Sequence, residues 1–272
     1  MTNTPAKVAT FVVNLDRAVI RRETMERELA GAGINGEFLP AVDAAEVGEA
    51  ALLARFDDFG PWGIVPVTNM AITWSHQNIW QEFLATAADI ALVLEDDVYI
   101  APEMGEWLED LSWWPADADI VKLEVWPDTR MVHILSRRAS EFRGRSIARL
   151  YSRHPGAAGY LVTRQHAQRM LRVDRINLST DSFIFDPYVS GVAREASIYQ
   201  VSPGLVGQGN DPGHEQTVRT HKKAADKRDL RRQAWLRGWA QLRNLPRHIW
   251  QLITGQARLA RLTVSLTPVG ST

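Results

Sequence analysis

Three carboxylates stand in a row at Glu95-Asp96-Asp97, directly after the apolar run Ile90 to Leu94. Like charges at adjacent positions raise one another's pKa and strain the site unless a cation neutralises them. Along an extended or turning chain alternate residues share a side, so Glu95 and Asp97 can face one way while Asp96 points elsewhere. One or two carboxylates, completed by water and phosphate oxygens, are the ligands Mg2+ or Mn2+ takes when it holds a nucleotide diphosphate. Such an ion takes up charge on a departing diphosphate, which makes group transfer from a nucleotide-linked donor the chemistry this cluster would serve. A solvated acidic turn between a strand and a helix is the competing reading of the same residues.

A binding cluster needs rigid elements behind it. Ile90 to Leu94 reads as a strand buried on both faces, and in open α/β sheets ligands bind at the carboxyl ends of such strands. Ala9 to Leu15 is a second strand of this kind, with Asp16 placed to cap a helix over about Ala18 to Ala32 that Gly31 and Gly33 terminate. Gly36 to Val42 is extended. Thr68 is placed to cap a helix from Asn69 to about Ala87, which carries His76. After Pro102 comes a helix around Glu103 to Leu111, followed by strands at Ala118 to Glu124 and Gly159 to Thr163 and a helix from Gln165 to about Arg172. The alternation predicts an α/β domain with a mostly parallel central sheet.

The 272 residues include no Cys, which excludes thiolate metal sites and a Cys nucleophile and limits any metal to oxygen and imidazole ligands. The net charge of -1 hides an asymmetry: Arg219 to Arg261 holds twelve Lys/Arg against Asp226 and Asp229, so an acidic body carries a basic tail. No run has the length of a membrane span and Met1 to Lys7 has no signal-peptide pattern, so the chain is expected to be cytoplasmic. Composition changes after His221, which divides the chain into a body, 1–221, and a basic amphipathic helical tail, 222–272, that Pro246 is expected to split into two helices. Trp235, Trp239, Leu242, Ile249, Trp250 and Ile253 alternate there with Arg residues. Such a stripe fits a helix in the headgroup layer of an anionic membrane through residues 222–262, on the inner face of the cytoplasmic membrane. Packing of the stripe on the body or on a second subunit is the plain alternative. No nucleic-acid recognition motif is present, and none is expected as a partner.

Five blocks in order carry a family resemblance: Val13-Asn14-Leu15-Asp16-Arg17 with Arg21-Arg22, Pro40-Ala41-Val42-Asp43, Ser75-His76 with Trp80, Leu92 through Val98, and Gly159 to Thr163. Over about residues 8 to 210 the chain resembles glycosyltransferase family 25, the lipooligosaccharide-type galactosyltransferases that are similar to the collagen galactosyltransferase domain. The resemblance implies a GT-A type fold and inverting transfer of a sugar, usually galactose in β linkage, from a UDP-sugar. The acceptor would be a hydroxyl of a cell-envelope glycan or lipid-linked glycan such as lipopolysaccharide. It makes the acidic triplet the family's Mn2+ or Mg2+ motif, with Asp97 as direct ligand, Glu95 its partner or a ribose contact, and Asp96 beside the nucleotide.

By the same resemblance Asn14, Leu15, Asp16 and Arg17 would sit against the nucleotide. His76 would bind donor phosphate or support the acidic loop, and Gln208 would line the donor site. Inversion needs one general base opposite the leaving diphosphate, and Asp181 matches the family's position, with Asp186 in reserve. Capping of a short helix is the structural alternative for Asp181. Glu124 is a further carboxylate for the acceptor side. Two departures stand out: Asn69-Met70 replaces a Gly-Cys pair, and Ser179-Thr180 precedes Asp181 where the family has Pro and Ile or Val. The alternative function is a catalytically inactive nucleotide- or glycan-binding protein on the same fold, attached to a membrane by its tail. A metal-dependent phosphoryl-transfer enzyme is disfavoured by the lack of a P-loop.

Overall fold

The computed structural model describes residues 6–126, 131–209 and 227–267. Strand β1 (Val8–Asn14) runs at the centre of a parallel trio with β2 (Glu37–Pro40) and β5 (Ile90–Glu95), in register Val13 to Glu95. Helix α1 (Val19–Gly31) links β1 to β2. From β2 the chain passes through α2 (Ala44–Arg55), the short hairpin β3 (Phe59–Gly60) and β4 (Gly63–Ile64), and α3 (Val67–Ala85) before entering β5.

Alternation along the two inner strands builds three layers. Phe11 and Val13 of β1 and Ala91 and Val93 of β5 pack with Trp80 and Phe83 of α3 on one face. Val12, Leu92 and Leu94 face the other side, against Met25 and Leu29 of α1 and Met104 and Trp107 of α4 (Met104–Glu109). Between β5 and α4 the chain turns through Asp96-Asp97 into β6 (Val98–Ile100).

Beyond β5 the sheet is mixed rather than mostly parallel. The elements that follow are β7 (Ile120–Lys122), β8 (His133–Phe142), β9 (Arg145–Leu150), β10 (Gly159–Thr163), α5 (Arg164–Leu171), α6 (Thr180–Phe185), α7 (Gly191–Glu195), β11 (Ile198–Ser202) and β12 (Val206–Gln208). The sheet order is β13-β8-β9-β11-β7-β10-β5-β1-β2, where β13 (Ala257–Ala260) comes from the chain's last stretch. Strand β10 runs antiparallel to both β5 and β7, and β8, β9 and β13 are antiparallel to their neighbours. Parallel neighbours need a long crossover, whereas β8 and β9 are joined by Arg143-Gly144, both at positive φ (48° and 74°), which makes a tight hairpin.

Two expected helix caps are replaced. Asp16 lies in a turn closed by Ala18 N–H donating to Leu15 O (2.8 Å), and α1 starts after Ala18 with no side-chain cap. The third helix starts after Pro66, one residue before Thr68 could cap it, because proline's fixed φ suits a helix entry.

The basic segment forms one helix, α8 (Lys227–Ile253), continuous through Pro246. Pro246 is exposed, so water can satisfy the carbonyl that loses its helical donor. The chain then returns to the body: β13 is the sheet's edge strand against β8, and Gly204 N–H donates to Thr263 O (2.7 Å). The fully buried Arg145 donates to Ser265 O (3.0 Å), Pro203 O and Gly204 O (2.9 Å each) and pairs with Glu103. The expected division at 221/222 lies outside the described residues.

Candidate active site

The carboxyl ends of β1 and β5 lie side by side, and the acidic triplet divides as alternation requires. Asp96 is buried and turned toward β1 and α1. Asn14 Nδ2 donates to its Oδ2 (2.6 Å) and Arg21 Nη1 to its Oδ1 (3.1 Å). Both oxygens therefore tie the acidic turn to the first strand and helix, a structural duty next to the nucleotide position expected for Asn14 and Asp96.

Glu95 faces His76, whose Nε2 lies 3.4 Å from Glu95 Oε1. Trp80 Nε1 donates to Tyr160 Oη (2.9 Å), which leaves the phenol proton for His76 Nδ1, also 2.9 Å away. That order puts the imidazole proton on Nε2, aimed at Glu95. Burial pushes the Tyr160 phenol up, so it remains a donor. His76 is thus buried and in contact with the acidic turn through Glu95.

Asp97 is the uncompensated member. Its Oδ1 is buried with no hydrogen-bond partner among the described residues, and its Oδ2 is 3.9 Å from Arg21 Nη1. Burial first and the neighbouring Glu95 charge second push its carboxyl up to about 7, with Arg21 pulling the other way. Gly209 N–H donates to Asp97 O (2.7 Å), and β12 pairs with β6 so that Gln208 sits opposite Val98. Gln208 is thereby brought beside the triplet.

The turn after β1 lies at the same end. Leu15 is half-buried, Asp16 and Arg17 are exposed, and Arg17 forms an ion pair with Asp43, the residue that caps α2. Ser75 Oγ accepts Val42 N–H (2.8 Å) and donates to Ala71 O (2.8 Å), fastening the β2–α2 loop to α3.

On the other side of the triplet lies a buried pair of which the sequence pointed only to Glu124. Lys122 and Glu124 are both fully buried, with Nζ 3.2 Å from Oε2. Lys122 also donates to Pro155 O (2.9 Å) and Gly156 O, and its ammonium lies over the Phe185 ring at 4.3 Å. Burial pushes Lys122 down and Glu124 up, each being the largest influence opposing the other's shift. Glu95 and Asp181 both act on the Lys122 charge, and Glu95 on that of Glu124. Glu124 is fully buried, with its carboxylate packed directly beneath Gly156.

Asp181 opens α6. It accepts from Ser179 Oγ and, at 3.4 Å, from Gly156 N–H. It is half-buried, whereas Asp186 is fully buried and held by Trp62 Nε1 (2.9 Å), Tyr188 N–H (2.9 Å) and Arg153 (3.4 Å), which leaves Asp181 the accessible carboxylate of the two. Thr180 Oγ1 lies 2.9 Å from Thr73 Oγ1, so the departure at position 180 is matched by a hydroxyl partner on α3. Met70, the other departure, is buried in the core.

Among the described residues no group of three or more His, Asp or Glu forms a ready metal cage. Glu95 and Asp97 together nevertheless fit a hard cation that would take its remaining ligands from diphosphate and water, because Asp97 offers a buried oxygen with no donor among the described residues.

The α/β domain that carries this acidic turn at the ends of its parallel strands is a glycosyltransferase domain. The chain belongs to glycosyltransferase family 25 (LPS biosynthesis protein), whose model matches residues 8–184, from β1 through Asp181. It is 25% identical over 201 residues to the lipooligosaccharide biosynthesis protein lic2B of Haemophilus influenzae, covering 72% of this chain and 74% of that protein. It is 26% identical over 161 residues to the lacto-N-neotetraose biosynthesis glycosyltransferase LgtB of Neisseria gonorrhoeae, covering 57% of this chain and 56% of that protein. Among solved structures, a glycosyltransferase involved in the glycosylation of the major capsid of PBCV-1 aligns at TM-score 0.37 and 12% identity, over 75% of this chain and 95% of that one.

Proposed function

We propose that the protein is an inverting glycosyltransferase that moves galactose from UDP-galactose to a hydroxyl of a cell-envelope glycan, free or lipid-linked. The observation that carries this reading is the division of labour in the acidic triplet. Asp96 is consumed by Asn14 and Arg21, while Glu95 and Asp97 are left for a ligand, Asp97 with a buried oxygen that has no donor among the described residues. Glu95 and Asp97 would hold Mn2+ or Mg2+, which when bound would offset negative charge on the departing diphosphate. His76 steadies Glu95 through its Nε2 proton, and Asn14 and Arg21 keep the turn closed against β1. The turn Leu15 to Arg17 and Gln208 flank the nucleotide in this reading.

Asp181 acts as the base. As the acceptor oxygen bonds to the sugar's anomeric carbon, the bond from that carbon to the diphosphate breaks on the opposite face, and the hydroxyl proton passes to the Asp181 carboxylate. The packing of α6 against α3 and the Ser179 hydroxyl hold that carboxylate in one orientation.

The test is incubation of the purified chain with Mn2+, lipooligosaccharide acceptor, and UDP-, GDP- or CMP-sugars in parallel. UDP release coupled to a β-galactosylated product is expected. An α-linked product overturns inversion, and transfer from a GDP- or CMP-sugar overturns the donor. UDP binding without turnover of any donor establishes instead the inactive, ligand-binding protein.

A further inference from the structure

Helix α8 is seated with its polarity reversed. The residues buried toward the body are Ala240, Asn244, His248 and Gln251, three or four apart, a small and polar spiral. Continuing that spiral, Gln233 donates to Trp62 O (2.8 Å) and Arg237 stacks over the Trp62 ring. On the opposite side a second spiral of the same spacing is large and apolar. Trp235, Trp239, Trp250 and Ile253 are 67%, 59%, 64% and 77% exposed, with Leu242 and Ile249 between them. Trp235 and Trp239 stack in nearly parallel planes, 3° apart. A soluble helix normally buries such a stripe and wets its polar face. Here the body holds the polar face through hydrogen bonds and ring contacts, so the apolar face has a different partner.

Charge identifies that partner. From Lys227 to Ile253 seven Lys/Arg stand against Asp229 alone. Arg228, Arg231, Arg243 and Arg247 are exposed. Arg243 also lies close enough to Arg194 of α7 to lower its pKa, after burial the second cause, so two elements crowd cations along this side. A second copy of the chain meeting this face about a two-fold axis would set like charges against each other. An anionic bilayer takes the aromatic stripe among its headgroups and neutralises the flanking guanidiniums at once. None of the described helices is long and apolar enough to cross a membrane, and α8, roughly 40 Å long at 1.5 Å per residue, suits the interface plane.

We infer that α8 is a bilayer-surface helix, lying with Trp235, Trp239, Leu242, Trp250 and Ile253 in the headgroup layer of an anionic membrane. Its seat fixes the domain's orientation there. Through Trp62, whose indole donates to Asp186, and through the His248–Tyr188 ring contact at 5.6 Å, α8 abuts the segment that follows Asp181. If the transfer reaction proposed above holds, the side of the site carrying Asp181 is the side nearest the lipid.

The test uses the full chain and sedimentation with vesicles of phosphatidylcholine alone or with phosphatidylglycerol, at low and high salt. Binding to the anionic vesicles only, falling with salt, is expected. Trp239→Ser with Trp250→Ser should lower the partition at least about tenfold, and Arg231→Gln with Arg243→Gln should lower it for anionic vesicles, both without loss of melting temperature. Absence of vesicle binding, or equal binding by both variants, overturns the inference. So does a dimer in solution that Trp239→Ser converts to monomer. Because sedimentation needs no turnover, a chain that binds vesicles but transfers no sugar refutes the proposed activity and leaves the membrane helix standing.

Discussion

Lys122 Nζ and Glu124 Oε2 lie 3.2 Å apart, both side chains fully buried beneath the site. Residues two apart on a strand share a face, so β7 and its continuation deliver both charges to the same cavity floor. The ammonium draws three acceptors from two segments: Glu124 and the carbonyls of Pro155 and Gly156. It also senses Glu95 and Asp181, which stand on different elements. The buried Lys122 is therefore acted on by charges from both the triplet side and the base side of the site.

Lys122→Met should destabilise the fold by about 3–5 kcal/mol, since it leaves Glu124 buried without its counter-charge. Adding Glu124→Gln should recover a large part of that loss, because the uncompensated charge goes as well. Chemical denaturation of the two variants and the parent measures both steps. Equal stability of the single and double variants would show that the pair is not coupled.

Asp97→Asn keeps the side chain's size and removes its charge. Mn2+-dependent UDP affinity is expected to fall by about a hundredfold or more and transfer to background. The parent buries this carboxylate at a cost that pushes it up to about 7, so the variant should melt no lower than the parent at pH 8 in chelator. Calorimetric titration of UDP with and without Mn2+ checks the first statement. Undiminished affinity removes Asp97 from the donor site.

Asp181→Asn should separate chemistry from binding. Loss of a positioned base costs roughly 10²–10⁴ in kcat, while UDP affinity stays close to the parent's because the triplet is untouched. Steady-state kinetics with a soluble acceptor, paired with UDP titration, reads the two quantities. If kcat is unchanged, Asp181 serves only to start α6.

How much of this was legible beforehand depended on how local each signal was. The apolar runs of β1 and β5 and the abrupt Glu95-Asp96-Asp97 were local, and the alternation that sends Asp96 away from Glu95 and Asp97 is what the structure shows. The β8–β9 hairpin leaves no local signal because Arg137 to Glu141 are all exposed and show no apolar alternation. Lys122 finds its carbonyl partners at Pro155 and Gly156, more than thirty positions away, so its environment is invisible along the strand. The stripe on α8 was visible as a pattern, but its outward direction depends on Asn244, His248 and Gln251 being the residues the body accepts.

Gly156→Ala is expected to be costly out of proportion to one methyl group. Gly156 has φ +84°, a region side chains disfavour, and a Cβ there would collide with the Glu124 carboxylate. The loop would have to lift from Lys122, breaking the carbonyl contacts that hold it and moving the Gly156 N–H away from Asp181. A loss of about 2–4 kcal/mol and a fall in kcat are expected. Thermal unfolding and kinetics on one preparation give both, and a stable, fully active variant would show that the loop does not need this conformation.

Acid should weaken the fold through histidines remote from the triplet. His166 is fully buried, both ring nitrogens lack hydrogen-bond partners among the described residues, and burial pushes its pKa down from 6.5 to about 4, with nearby Asp119 opposing. His154, buried beside Gln200, is driven down as well. Between pH 6.5 and 4 the unfolded chain takes up a proton at His166 that the folded chain refuses, so stability falls as pH drops through that window. At pH 5 the His166 contribution is about 2 kcal/mol, which for a chain of this size lowers the melting temperature by roughly 4–8 °C. His166→Leu should flatten the decline between pH 8 and 5 by that amount and leave the difference at pH 8 to packing alone. Parallel melting curves for parent and variant across the range would assign the acid lability to other groups.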